Sequence, residues 1–294
     1  MHDEVELVLD AKAELGEGPC WDYRNNILYW VDIEGKKVHM YNHISGEHKQ
    51  IQLEREVSAI IPCIKKDTEF IVTLDNGFHF LNIETERLEF IADPEQDLEN
   101  NRFNDGKCDA QGRLWAGTMC RNDNKKEAAL YCLDKDGKYT EKISDLSISN
   151  GMAWTSNNEY FYHIDTPAQK ITRYKYDLET GDLGKVNEII DFSEEEGFPD
   201  GMTIDSKGML WIAHYGGGRV SRWNPESGEK LEELRLPVPN VTSCTFGGKK
   251  LDELYITTAR SGLDEEKLKE HPQSGGLFKA KLGITGVKTY LYHN

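Results

Sequence analysis

Short apolar runs alternate with turn signals along the whole chain. Runs such as Ile27-Leu-Tyr-Trp-Val31 and Tyr160-Phe-Tyr-His-Ile164 are rich in β-branched and aromatic residues, which suit a pleated, half-buried surface. Between such runs stand Asn25-Asn26, Ser45-Gly46, Gln111-Gly112, Asp136-Gly137, Asn157-Asn158, Thr180-Gly181, Lys207-Gly208 and Ser227-Gly228. This spacing predicts antiparallel hairpins, not amphipathic helices. Only the short stretch from Asp264 to Glu270 has a helix-like composition.

A longer period overlies the hairpins. Units that read polar residue, Gly or Ser, apolar strand, turn, aromatic strand begin near Leu15, Val57, Arg102, Ile148, Phe198 and Asn240, between 42 and 50 residues apart. Each has room for about four short strands, the content of one propeller blade. Six such units account for residues 1–294, so the expectation is one all-β domain, a six-bladed β-propeller. A β-sandwich would share the strands and turns but would not explain a repeat of this length.

Within the repeat, polar residues recur at one place. Glu17-Gly-Pro-Cys-Trp-Asp22, Asn104-Asp-Gly-Lys-Cys-Asp109, Asn150-Gly-Met-Ala-Trp-Thr155 and Asp200-Gly-Met-Thr-Ile-Asp205 each place an oxygen-bearing side chain five positions before an Asp or Thr that opens a turn. In a closed ring, Glu17, Ser58, Asn104, Asn150, Asp200 and Thr242 would all face the central tunnel. Asn-Gly or Asp-Gly alone marks a turn; recurrence at one position of a repeat is what points to a site. Glu17, Asn150 and Asp200 supply two anionic oxygens and one neutral one, donors for a hard divalent cation whose shell water or substrate can complete. All-oxygen ligation suits Ca²⁺, Mg²⁺ or Mn²⁺, and Zn²⁺ can also occupy such a site. The nine histidines contain no His-x-His or His-Glu-x-x-His pattern, which argues against zinc held by imidazole.

Charge and cysteine usage narrow the partners. A formal net charge of −17 disfavours nucleic acid and anionic membrane surfaces. The start, Met1-His-Asp-Glu, lacks the basic and apolar regions of a secretion signal, and the six cysteines form no Cys-x-x-Cys pair. Reduced, buried thiols in a cytoplasmic protein are the expectation. Ring closure hides strand edges, so a monomer is expected, with a dimer through an outer strand as the alternative. His163 and His214 read as hydrogen-bonded structural residues, and Asp165 with Thr166 as loop-fixing residues. Trp21, Trp115, Trp154 and Trp211 read as inter-blade packing, and Gly216-Gly-Gly218 as a turn. The acidic run Glu194-Glu-Glu196 reads as a solvated loop, near enough to Asp200 in sequence to serve as a lid.

Several motifs in order along the chain resemble the senescence-marker-protein-30/gluconolactonase/regucalcin family. They are Gly16-Glu-Gly-Pro19 with Trp21-Asp22, Asn101-Arg-Phe-Asn-Asp-Gly-Lys107, Trp115-Ala-Gly-Thr-Met119, Ser149-Asn-Gly-Met152, Tyr162-His-Ile-Asp-Thr166, Pro199-Asp-Gly-Met202 and Val241-Thr-Ser-Cys-Thr-Phe-Gly-Gly248. The resemblance implies a six-bladed propeller with one divalent cation at the mouth of the central tunnel and the hydrolysis of sugar lactones to aldonic acids. It implies that Glu17, Asn150 and Asp200 are the metal ligands, and that Asp200 is also the proton acceptor and donor. Arg102 and Asn104 would contact substrate hydroxyls. One position departs: where several members carry an acidic substrate contact, Met119 is followed by Cys120-Arg121-Asn122, and the loop to Leu130 is shortened. That departure leaves the sugar unassigned. The competing readings are a non-catalytic cation-binding propeller of the regucalcin kind and an arylesterase or phosphotriesterase.

Overall fold

In the computed structural model, residues 5–122 and 126–294 are described. They form six four-stranded antiparallel sheets, the six-bladed β-propeller expected from the repeat. The inner strands are Gly16–Asp22, Val57–Pro62, Asn101–Cys108, Ser149–Trp154, Phe198–Ile204 and Val241–Gly247. Five blades are consecutive in sequence. The sixth is closed by the other end of the chain, because strand Val5–Leu9 pairs with Leu277–Lys281 as its outermost member. Among the described residues one α-helix forms, Glu265–Glu270, where the Asp264 side chain accepts a hydrogen bond from the Lys267 amide.

Apolar side chains alternate along the strands and pack between blades. Trp21 stacks on Tyr255 of the closing blade with centroids 5.8 Å apart, and Trp115 meets Trp154 edge-on at 5.8 Å. Trp211 meets Phe246 at 6.0 Å. All four indoles are buried, as inter-blade packing requires. The acidic residue at the end of the repeat ties its blade together. The Asp109 carboxylate accepts from the Gln111 and Arg113 amides and from Trp115 Nε1. Asp205 does the same with Lys207, Met209 and Trp211.

Every inner strand carries a register shift at its axial residue. The shifts fall between Glu17 and Cys20, Val57 and Ala59, Phe103 and Asp105, Asn150 and Met152, Pro199 and Met202, and Val241 and Ser243. A bulge takes a residue out of the ladder and re-aims the local side chains; Ser58, Asn104, Asp200 and Thr242 lie within the shift, and Glu17 and Asn150 directly precede it. The Asn-Gly and Asp-Gly pairs therefore lie inside strands, not at turns. Their glycines are needed because the next blade comes close. A Cβ on Gly151 would stand 2.7 Å from Asp200 O, and one on Gly201 would stand 2.7 Å from Ser243 Cα.

The far end of the tunnel is crossed by the C-terminal segment. Gly286 bridges to Asp205 and Tyr292 to Cys63, so residues 287–291 span the opening. Behind them lies a cavity of about 320 Å³ bounded by Cys20, Asp105, Lys107, Met152 and Cys244. Lys107 reaches across it and donates to Met152 O at 3.0 Å and Met202 O at 2.7 Å, bracing the inner strands of three blades.

Candidate functional site

Glu17 and Asp200 stand on inner strands of different blades and are buried, at 5% and 6% exposure. Neither forms an ion pair among the described residues. Glu17 Oε2 accepts from the Gly18 amide at 2.9 Å, which does not offset the loss of water. Burial, then the nearby Asp105 carboxylate, pushes the Glu17 carboxyl up to about 8, against the pull of Gly18 and Arg102. Burial also raises Asp200 well above the ordinary carboxylate range, reinforced by Glu17 and Asp105. Two desolvated carboxylates that repel each other, offset only in part by the field of Arg102, which is bonded to neither, form a place suited to a further positive charge.

Arg102 is buried beside them, at 8% exposure. Its Nη1 donates to Phe103 O at 2.8 Å and to Asn104 Oδ1 at 2.9 Å, and its Nε lies 3.7 Å from Glu56 Oε2. Burial lowers its pKa to about 10, opposed by Glu56. Asn104 Nδ2 donates to Ser149 O and to Asn150 Oδ1, both at 3.0 Å. Asn150 Nδ2 donates to Thr166 Oγ1 at 2.8 Å, and Thr166 Oγ1 donates to Pro199 O at 2.9 Å. An unbroken polar chain thus runs from Glu56 through Arg102, Asn104, Asn150 and Thr166 to the residue before Asp200.

The structure brings together Glu17, Arg102, Asn104, Asn150 and Asp200. Ser58 and Thr242 pair instead with Thr73 and Thr257 in their own blades, at 2.8 and 2.9 Å. Four further residues belong to this site. Asp105, which reads in sequence as half of an Asp-Gly turn, is buried; burial raises its pKa and Lys107 counters that. Glu56 bridges Arg102 and Arg121, the latter donating from both Nη atoms. The Tyr215 hydroxyl donates to Ser261 O at 2.9 Å, and burial with the fields of Asp200, Glu34 and Glu17 pushes it up to about 12. Thr166 is the fourth. No local pattern marks Glu56 or Tyr215, whereas the spacing from Asn104 to Lys107 could have revealed Asp105, since the bulge shifts the strand register there.

Other expectations resolve here. Burial lowers His163 to about 3, and its Nε2 lies 2.8 Å from Ser149 Oγ. His214, lowered to about 4, is held by Ser221 Oγ and Glu196 O. Both are structural. The acidic loop is no free lid, since Glu195 is tied to Arg219 at 3.0 Å and Lys230 at 2.8 Å. In the loop after Met119, Cys120 is buried and Arg121 exposed, and residues 123–125 lie outside the described residues.

Comparison with known proteins agrees with this architecture. A putative sugar lactone lactonase, YvrE, of Bacillus subtilis is 41% identical over 285 residues, 97% of each chain. Regucalcin of Gallus gallus is 38% identical over 293 residues, 98% of this chain and 97% of that one. The structure of a luciferin-regenerating enzyme superposes with a TM-score of 0.94 at 32% identity, covering 99% of this chain and 100% of the other. The model of the SMP-30/gluconolactonase/LRE-like region matches residues 15–260. With the family model matched over residues 15–260 and relatives matched over nearly their full length, the chain belongs to the SMP-30/gluconolactonase/LRE-like family.

Proposed function

We propose that this protein is a divalent-cation-dependent hydrolase that opens sugar lactones to aldonic acids, with Asp200 as proton acceptor and donor. The observation that carries the reading is the pair of buried carboxylates, Glu17 and Asp200, with no cationic partner bonded to either. Such a pair is costly to hold in a folded protein unless a positive charge joins it. Among the described residues no three His, Cys, Asp or Glu side chains gather as a cage. A cation would therefore rest on Glu17, Asp200 and the Asn150 amide oxygen, with outside oxygens completing the shell. Ca²⁺, Mg²⁺ and Mn²⁺ fit that donor set best, and Zn²⁺ remains compatible with it.

When bound, the cation supplies Lewis-acid stabilisation of charge developing on a lactone carbonyl oxygen. Arg102 and Asn104 offer polar contacts for ring hydroxyls and orient the ring without bond chemistry. Asp200 would take a proton from the attacking water and return it to the departing ring oxygen, its carboxylate kept ionised by the cation's charge. The similarity to YvrE supports the substrate class. A second reading, a cation-binding propeller without turnover, is supported by the relatives named regucalcin. Six free, buried thiols fit a reducing compartment such as the cytoplasm, and the closed ring fits a monomer.

The test is acid release from glucono-1,5-lactone and related aldonolactones by chelator-treated protein, with each of the four ions added back. Cation-dependent turnover that disappears in Asp200→Asn, with an unchanged melting profile, is the expected result. Full turnover in that variant refutes the role of Asp200; cation binding without turnover of any lactone favours the second reading.

A further inference from the structure

The polar chain across the site has a fixed direction because both of its ends have only one possible hydrogen-bonding sense. Pro199 O can only accept, and a threonine hydroxyl has one proton to give. Thr166 gives that proton to Pro199 O, so it must accept from Asn150, and the Asn150 atom facing it must be the Nδ2 amino group. From the other end, Arg102 can only donate, which fixes Asn104 Oδ1 toward it. Asn104 Nδ2 is then the donor to both Ser149 O and Asn150, so the Asn150 atom there must be Oδ1. Two independent anchors, in different blades, impose the same orientation on one amide.

The flipped amide is costly at both ends. It would set Asn150 Nδ2 against Asn104 Nδ2 and force the Thr166 proton away from Pro199 O. We infer that Thr166 is a positioning residue that holds Asn150 in the one orientation offering an oxygen to a cation shared with Glu17 and Asp200. Thr166 opens the 3₁₀ turn Thr166–Ala168 after strand Tyr160–Asp165, and its amide donates to Ile148 O at 3.1 Å. Because Pro199 directly precedes Asp200, the same hydroxyl ties the backbone next to one proposed ligand to the side chain of another. This inference rests on the proposed cation site. Groups that orient a ligand atom without touching the cation typically contribute about 10–100-fold to affinity.

Calorimetric titration of chelator-treated protein with Ca²⁺ tests it. Thr166→Val removes the hydroxyl at constant shape, and the expected result is Ca²⁺ affinity weakened about 10–100-fold, while Thr166→Ser retains wild-type affinity. A cycle with Asn150→Asp separates orientation from mere structure. A carboxylate presents oxygen at both ends, so in the Asn150→Asp background Thr166→Val should leave affinity unchanged. Wild-type affinity in Thr166→Val overturns the inference, as does an equal loss in both backgrounds or a Thr166→Ser protein as weak as the valine variant. Failure of the wild-type protein to bind Ca²⁺, Mg²⁺, Mn²⁺ or Zn²⁺ overturns instead the cation site on which the inference stands.

Discussion

Replacing Glu17 by Gln in chelator-treated protein should stabilise it, although the change removes a proposed ligand. In the folded chain the Glu17 carboxyl is pushed up to about 8 by burial and by Asp105, from an ordinary 4.5. At pH 7 the unfolded chain has already lost this proton, whereas the folded chain must retain it. The difference corresponds to about 3 kcal/mol, an upper figure because Glu17 and Asp200 titrate as a pair. Gln is neutral and can still accept from the Gly18 amide, so it escapes this cost. For a domain of this size the gain amounts to roughly 6 °C in melting temperature. The sign is specific. A carboxyl whose folded pKa is raised binds its proton more tightly when folded, so its contribution to stability falls as pH rises from about 4.5 to about 8. The melting gap between Glu17→Gln and wild type should therefore be small near pH 5 and largest near pH 8, in differential scanning calorimetry with chelator present. Saturating Ca²⁺ should reverse the order, because a ligand bound only to the native state stabilises it by mass action. A gap that does not change with pH, or a variant less stable than wild type throughout, would refute the account of these carboxylates as desolvated and uncompensated.

Two further substitutions probe the frame around the site. Gly201→Ala places a Cβ 2.7 Å from Ser243 Cα on the next blade; thermal melts should show a loss of about 1–3 kcal/mol, as overpacking a close contact gives. Lys107→Met leaves Met152 O and Met202 O without their donor and Asp105 without its nearest positive charge, so urea denaturation should show a loss of about 3 kcal/mol.

Much of the molecule was legible because its signals are local. The hairpin period needs only neighbouring residues, and the blade repeat needs only a window of about fifty. Glu17, Asn104, Asn150 and Asp200 stood out because they recur at one position of that repeat. The same reasoning left a turn as the alternative reading of each Asn-Gly or Asp-Gly pair, Asp105-Gly106 included. Inside the folded protein these positions are bulges in inner strands, and a one-residue shift of register decides which side chain enters the tunnel. Ser58 and Thr242 share the repeat position, yet Ser58 pairs with Thr73 in its own blade and Thr242 with Thr257 and with Gly16 O of the neighbouring blade.

By itself, then, the sequence determined the β-strand content, the number of blades and the kinds of side chain that reach the axis. Each of these follows from short-range alternation and repetition. Only the tertiary structure decided that the N-terminal strand closes the sixth blade against Leu277–Lys281. It alone linked Arg102, Asn104, Asn150 and Thr166 into one directed chain. It alone raised Glu17 and Asp200 out of the ordinary carboxylate range. Those properties arise from desolvation and from contacts between blades far apart in the chain, and neither exists until the ring has closed.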